Sequence, residues 1–145
     1  MPTARLTRKV RFSAAHRYFR PEWTEERNRE VFGPCANPHG HGHNYLLEVS
    51  VEGEVDPETG FCVDLGALDR VLREEVVDRL DHQHLNHAVP EFAEGGRIPT
   101  TENILVLLWE RIAGRVGEAR LVRLRLHEEE SFYVDYRGPT MRPNG

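Results

Sequence analysis

Cysteine is scarce in this sequence, with Cys35 and Cys62 the only two among 145 residues. Two cysteines are too few for the disulfide framework that stabilises small secreted domains. No apolar run approaches the roughly 20 residues of a membrane span, and the first ten residues contain no apolar stretch of signal-peptide length. We therefore expect a cytoplasmic protein with no membrane partner.

A surplus of positive charge is also missing. The net charge is −5, and Lys9 is the only lysine. Recognition of a phosphate backbone needs a basic surface, so nucleic acid is not an expected partner. The chain does contain 39% hydrophobic and 30% charged residues, which is the balance of a folded globular protein. Its length suits one core, and we expect a single domain over residues 1–145.

Alternating apolar and polar residues predict two strands in the first part of the chain. The first strand is predicted to end at His16, and the second to cover residues 44–54, directly after His41 and His43. In both strands the histidines continue the apolar parity. The apolar positions are Leu6, Val10, Phe12 and Ala14 in the first strand, and Tyr45, Leu47, Val49 and Val51 in the second.

Helical and strand patterns then complete the order of elements. Asp64 is the expected N-cap of one helix, and Thr100 or Thr101 begins another that extends to residue 116. A short helix at 21–32, a histidine-rich loop at 81–99, and strands at 120–128 and 131–136 are also predicted. The order indicates an α+β fold with a four-stranded antiparallel sheet and two helices on one face. The two exposed sheet edges suggest pairing between subunits.

Three histidines form the main candidate site. Residues two apart in a strand point the same way, so His41 and His43 share a face, and His16 lies on the equivalent face of its own strand. Three imidazoles without a fourth protein ligand are typical of catalytic zinc, and no carboxylate completes the triad that iron prefers. The alternative is that these are core histidines hydrogen-bonded to other protein groups, or solvated histidines at strand ends. His39 lies in a Pro-Gly loop and is left out of the ligand set.

Three further positions are candidates for chemistry. Cys35 lies in a loop, where it is either a small buried hydrophobe or a base whose pKa a nearby histidine or metal lowers. Asp81 precedes His82 and either orients that imidazole or belongs to an ordinary polar loop. Glu128 continues an apolar row, so it is either a strand end in solvent or an anchor for a guanidine-like ligand edge.

These motifs, in this order, resemble those of the 6-pyruvoyl tetrahydropterin synthases and their bacterial relatives, the 6-carboxytetrahydropterin synthases of queuosine biosynthesis. The matching segments are 12–16, 32–35 with 41–44, 80–82 with 85–86, 99–103, and Glu128. The resemblance implies the tunnelling fold, in which the sheets of several subunits join into a barrel. It also implies a homo-hexamer built from two trimers, with the active site between subunits.

The resemblance further implies a zinc-dependent carbon–oxygen lyase of tetrahydrobiopterin biosynthesis. Its substrate would be 7,8-dihydroneopterin triphosphate and its products 6-pyruvoyl-tetrahydropterin and triphosphate. Cys35 would be the base, His82 its acid–base partner, and Asp81 the group that orients His82. The zinc ligands would be His16, His41 and His43, and the substrate-binding residues Thr100, Thr101, Glu102 and Glu128.

Other functions stay open. A 6-carboxy-5,6,7,8-tetrahydropterin synthase uses the same substrate and also releases acetaldehyde; the five residues between Cys35 and His41 favour the pyruvoyl product, because many queuosine-pathway members have three. A zinc hydrolase or hydratase would rely on metal-bound hydroxide and would not need Cys35. A non-catalytic zinc-binding assembly protein is a more distant alternative, since it would need neither Cys35 nor the Asp81–His82 pair.

Overall fold

One mixed sheet organises the chain in the computed structural model, which describes residues 1–140. Its strands are β1 Thr3–His16, β2 His41–Glu54, β3 Gln83–His84, β4 Arg120–Glu129 and β5 Phe132–Tyr136. Their spatial order is β3-β1-β2-β4-β5. The four predicted strands pair antiparallel, as expected. The short β3 was not predicted; it comes from the histidine-rich loop and runs parallel to β1.

Of the five helices that the described residues form, two begin directly after the predicted capping residues, Asp64 and Thr100. The five are α1 Glu25–Phe32, α2 Leu65–Leu72, α3 Asp78–Leu80, α4 Leu85–Ala88 and α5 Thr101–Ile112. The Asp64 side chain accepts a hydrogen bond from the Ala67 amide, and Thr100 accepts one from the Asn103 amide. A π-helical turn over residues 73–77 joins α2 to α3, where the sequence predicts one regular helix. None of the helices over residues 1–140 combines the length and apolarity that a membrane crossing requires.

The core lies between the sheet and the helices, which pack on one of its faces. The apolar row of β2 is fully buried, and Phe12 and Ala14 of β1 lie beside it. From the helices, Leu68 and Leu108 contribute to the same cluster. The opposite face of the sheet carries ion pairs, of which Arg125 with Asp135 is one. This division confirms the predicted α+β class, with apolar residues on the helix side of the sheet.

A β-bulge changes the register of β4 against β2. Ser50 pairs with Arg123, but its neighbour Val51 pairs with Leu121, so Val122 is an extra residue. Leu121 is buried as a result, whereas Val122 is only half-buried. Strict alternation along the apolar row that ends at Glu128 would instead place Val122 with the buried Leu124 and Leu126. The bulge reverses this because one inserted residue moves the preceding side chains to the other face.

Candidate metal centre and active site

Strand register brings three histidines together at one end of the sheet. His16, the last residue of β1, lies opposite His41, the first residue of β2, and His43 follows two residues later. The ring centroids are 4.9 Å apart for His16 and His41, 5.1 Å for His16 and His43, and 5.0 Å for His41 and His43. One nitrogen from each ring lies within 4.8 Å of the others. The exposed His39 is not part of this cluster.

The nitrogen atoms of the cluster fit a metal ion. Within residues 1–140, the Nε2 atoms of His16 and His43 are buried and have no hydrogen-bond partner. An unpaired buried polar atom costs about 1–3 kcal/mol, which binding to a cation would offset. Burial, together with the neighbouring His43 and His41, lowers the pKa of His16 to about 3. His16 is therefore neutral near neutral pH, the form in which imidazole binds metals.

Cys35 lies beside the cluster. It belongs to the 3₁₀ turn Gly33–Ala36, and its Sγ is 3.6 Å from Nε2 of His41. Burial raises the pKa of the Cys35 thiol, and the charge of Glu128 adds to that effect. Of the two alternatives from sequence, this direction matches the buried hydrophobe, because burial and the carboxylate both disfavour the thiolate. A bound cation would act in the other direction.

Glu128 reaches the same cluster because it continues the buried row of Leu124 and Leu126 in β4. A second bulge lies at this position: His127 pairs with Tyr133 and Glu129 pairs with Phe132, so Glu128 lies between two ladder pairs. The Glu128 side chain is buried with only 9% of the residue exposed, which favours the anchor interpretation over a strand end in solvent.

Both oxygens of Glu128 are engaged. Oε1 lies 3.2 Å from Nε2 of His43 and 3.4 Å from Nε2 of His16. The hydroxyl of Tyr18 donates to Oε1 at 3.4 Å, and the hydroxyl of Thr101 donates to Oε2 at 3.1 Å. The cluster thus includes a carboxylate that the sequence argument for zinc did not contain. Its negative charge adds to the attraction that the imidazoles offer a cation.

The predicted substrate-binding residues at the start of α5 differ in their positions. Thr101 is buried and contacts Glu128, whereas Thr100 uses its side chain to cap the helix. Glu102 is exposed in the first turn. Its charge still contributes, after burial and Glu128, to the raised pKa of Tyr18, so Glu102 faces the same region.

Asp81 and His82 form a separate pair. The Asp81 carboxylate lies 2.9 Å from Nδ1 of His82 and accepts a hydrogen bond of 2.8 Å from the Ser13 amide. That amide is the main cause of the lowered pKa of Asp81. The side chain of His82 is 83% exposed, and its φ is 61°, in the left-handed region.

The position of this pair separates it from the thiol. His82 lines a surface cavity together with Ser13, His43 and Asn44. Within residues 1–140, no hydrogen bond or ion pair joins His82 to Cys35. The structure brings Cys35 to the histidines but leaves His82 at the surface.

Two tyrosines at the site were missed by the sequence analysis. The hydroxyl of Tyr45 lies 2.8 Å from Nδ1 of His16. The Tyr18 ring lies against the His16 ring with a centroid distance of 4.5 Å. Tyr45 follows His43 by two residues and shares its parity, so the alternation that predicts the histidine row could also have identified Tyr45.

The chain is similar over nearly its whole length to proteins of one family. The family model described as 6-pyruvoyl tetrahydropterin synthase matches residues 5–139. A 6-pyruvoyl tetrahydrobiopterin synthase from Poecilia reticulata is 41% identical over 133 residues, which are 92% of this chain and 89% of the relative. The Homo sapiens 6-pyruvoyl tetrahydrobiopterin synthase is 37% identical over 135 residues, 93% and 92% of the two chains. The solved structure of Caenorhabditis elegans 6-pyruvoyl tetrahydropterin synthase has a TM-score of 0.87 at 32% identity and covers 96% of this chain and 98% of that one.

Proposed function

Because the chain belongs to the 6-pyruvoyl tetrahydropterin synthase family, an enzyme family with the tunnelling fold, we propose that it is a zinc-dependent lyase. The proposed reaction converts 7,8-dihydroneopterin triphosphate into 6-pyruvoyl-tetrahydropterin and triphosphate. The observation that carries this proposal is the cluster of His16, His41 and His43 with a thiol beside it. Two of its Nε2 atoms are buried and have no hydrogen bond within residues 1–140.

The three imidazoles would hold the zinc ion. They supply nitrogen ligands from two adjacent strands, which keeps their spacing fixed. Bound zinc would act as a Lewis acid on the side-chain hydroxyls of the substrate and make the adjacent C–H bonds more acidic. The side chains around the cluster would bind the substrate and transfer its protons.

Cys35 is the proposed base. Its Sγ lies 3.6 Å from a zinc-ligand nitrogen, so a substrate carbon held at the cluster is within its reach. The raised pKa of the thiol keeps it protonated in the metal-free protein. The thiol therefore needs a cation or an acid–base partner before it can accept a proton from carbon.

Glu128 is the proposed anchor for the pterin ring. A carboxylate accepts two parallel hydrogen bonds, which matches the adjacent N–H groups of a pterin edge. The Thr101 and Tyr18 hydroxyls hold the carboxylate in place. When the substrate binds, its N–H groups would replace the imidazoles as neighbours of Oε1. Thr100 and Glu102, at the start of α5, are proposed to contact the same ring.

The reaction needs no external oxidant. As triphosphate leaves the terminal side-chain carbon, the neighbouring hydroxyl carbon becomes a carbonyl and the terminal carbon becomes a methyl group, so this elimination is redox-neutral. The other hydroxyl carbon, next to the ring, becomes a carbonyl by giving two electrons and two protons to the ring, which changes from dihydropterin to tetrahydropterin. Proton relays are therefore the main requirement, and Cys35, His82 and Asp81 are the proposed relay.

The position of His82 supports an active site between subunits. His82 is exposed and, within residues 1–140, has no hydrogen bond to the thiol of its own chain. We infer that it serves Cys35 of a neighbouring copy in a homo-hexamer of two trimers, whose sheets join into a barrel. A single domain over residues 1–145 and a cytoplasmic location complete the proposal.

Mass spectrometry of the product tests this function. Zinc-loaded enzyme is incubated with 7,8-dihydroneopterin triphosphate, and bound metals are quantified in the same preparation. We expect 6-pyruvoyl-tetrahydropterin and triphosphate. A 6-carboxytetrahydropterin with acetaldehyde would instead assign the chain to the queuosine-type reaction. Unchanged substrate from zinc-replete protein would overturn the lyase assignment, and a preference for iron would overturn the choice of zinc.

A further inference from the structure

Tyr45 is one of the most buried side chains next to the metal centre. Only 1% of the residue is exposed, and its ring stacks on Phe12 with a centroid distance of 4.8 Å and an interplanar angle of 10°. Its hydroxyl lies 2.8 Å from Nδ1 of His16, which is itself fully buried. Stacking and hydrogen bonding together hold the phenol in one position.

This contact distinguishes the two nitrogens of His16. Nδ1 is engaged by the phenol, so Nε2 faces the cluster, where it is buried without a hydrogen bond among the described residues. A neutral imidazole that binds a cation through Nε2 carries its proton on Nδ1. In that tautomer Nδ1–H donates and the Tyr45 oxygen accepts.

We propose that Tyr45 is a positioning residue of the metal centre, which fixes the ring orientation and the tautomer of His16 so that Nε2 points at the metal. The inference rests on the proposed metal centre and adds an outer partner to it. Outer partners of this kind raise the basicity of a ligand imidazole and restrict its rotation. Burial raises the pKa of Tyr45, so the phenol stays neutral and adds no charge to the site.

The test is the substitution Tyr45→Phe, which removes the hydroxyl and keeps the stacked ring. Zinc affinity is measured by competition with a chromophoric chelator, which requires no substrate. We expect the affinity to fall by about 10- to 100-fold, as for other lost outer partners of metal-bound histidine. Tyr136→Phe is the matched control, because Tyr136 packs on the same side of the sheet against Trp109. Its affinity is expected to equal that of the wild type.

Two further measurements separate positioning from packing. The absorption spectrum of the Co²⁺-loaded protein is expected to shift in Tyr45→Phe, because His16 is free to rotate, and to stay unchanged in Tyr136→Phe. Thermal unfolding of the metal-free variants shows whether each one folds. A folded Tyr45→Phe protein with an affinity within about twofold of the wild type and an unchanged spectrum would overturn the inference. A wild-type protein that binds no metal would overturn the proposed zinc centre and this inference with it.

Discussion

At the scale of single residues, the surroundings of each ionisable group decide its resting protonation state. Burial keeps His16 neutral, and burial together with a carboxylate keeps the Cys35 thiol protonated. The backbone amide of Ser13 keeps Asp81 ionised. The metal-free chain therefore has a neutral donor and a protonated thiol at the histidine cluster, and an ionised carboxylate beside His82 at the surface. Binding of a dication shifts this balance toward the thiolate.

Substitutions at Cys35 and His41 are expected to separate chemistry from metal binding. Cys35→Ala removes the base and should lower turnover by at least about 100-fold while zinc content stays the same. His41→Ala removes a ligand and should lose both zinc and turnover. Metal analysis and turnover of the two variants test this. Full activity in Cys35→Ala would favour a hydrolase that uses metal-bound hydroxide.

The stability of the metal-free protein is expected to fall as the pH decreases below about 6.5. In that range the unfolded chain binds a proton at His16, whereas the folded chain does not until the pH approaches about 3. Each pH unit within this window costs about 1 kcal/mol, and above it the residue has no effect on the pH dependence. Urea unfolding at several pH values measures the slope. His16→Asn should have a shallower slope, and equal slopes would contradict the assignment.

At the scale of elements, side-chain alternation predicts the site only as far as the strands remain regular. It predicts the convergence of His16, His41 and His43, because β1 and β2 pair without interruption. It fails at Val122, where a bulge shifts the row. Glu128 keeps the two-residue period of Leu124 and Leu126, so its parity is visible in the sequence, whereas the second bulge beside it is not.

Contacts between distant segments explain what else the sequence did not predict. The parallel pairing of β3 with β1 involves only two residues, so it has no periodic signal. The hydrogen bond from Tyr18 to Glu128 joins residues 110 positions apart. Capping residues were more readily predicted, because Asp64 and Thr100 act on amides three residues away. Interactions between residues close in the sequence can therefore be predicted from it, whereas contacts between distant segments of the chain become apparent only in the folded structure.

The turn before β2 provides a prediction at this scale. Gly40 has a φ of 70°, and a Cβ there would lie 2.6 Å from the backbone oxygen of His16. Gly60 has a φ of 80° but no atom within 4 Å of such a Cβ. Gly60→Ala should cost about 1 kcal/mol from the left-handed conformation alone. Gly40→Ala should cost more and also weaken zinc binding, because the added clash displaces His16 from His41.

Urea unfolding and the chelator competition compare the two glycine variants. The free energy of unfolding and the zinc affinity should both fall further for Gly40→Ala than for Gly60→Ala. Equal losses in the two proteins would show that the close approach to His16 does not matter for the site.

At the scale of the whole molecule, one chain does not assemble all of the proposed catalytic residues. The thiol lies by the histidine cluster, whereas the imidazole of His82 is exposed and, within residues 1–140, has no hydrogen bond to that thiol. The edge strand β5 also exposes Phe132 and Tyr133, which are 41% and 49% accessible. Exposed aromatic residues on an open edge suit pairing with another strand. Both features favour assembly of several chains before the site is complete.

Mixing two inactive variants tests this assembly. Cys35→Ala and His82→Ala subunits are exchanged by unfolding and refolding together, and mixed oligomers are verified by native mass spectrometry. If the two residues act across an interface, about one quarter of the sites in a random equal mixture contain both, so a similar fraction of wild-type activity should return.

The matched control mixes Cys35→Ala with His41→Ala. These two residues belong to the same site of the same chain, with Sγ and Nε2 3.6 Å apart, so no activity should return. Mixed oligomers of Cys35→Ala and His82→Ala that remain inactive would show that His82 does not act across the interface.

The location of Cys35 outside the β1–β2 ladder has a consequence for how such an enzyme can diverge. The ladder runs from Thr3 opposite Glu54 to His16 opposite His41, and the thiol lies on the connection between the strands. An insertion or deletion between Cys35 and His41 changes the reach of the thiol while the strands keep the histidines in place. A change in chain length there could therefore alter the product that the enzyme releases without the loss of its metal. The metal centre and the base can vary independently, which gives one scaffold access to more than one reaction.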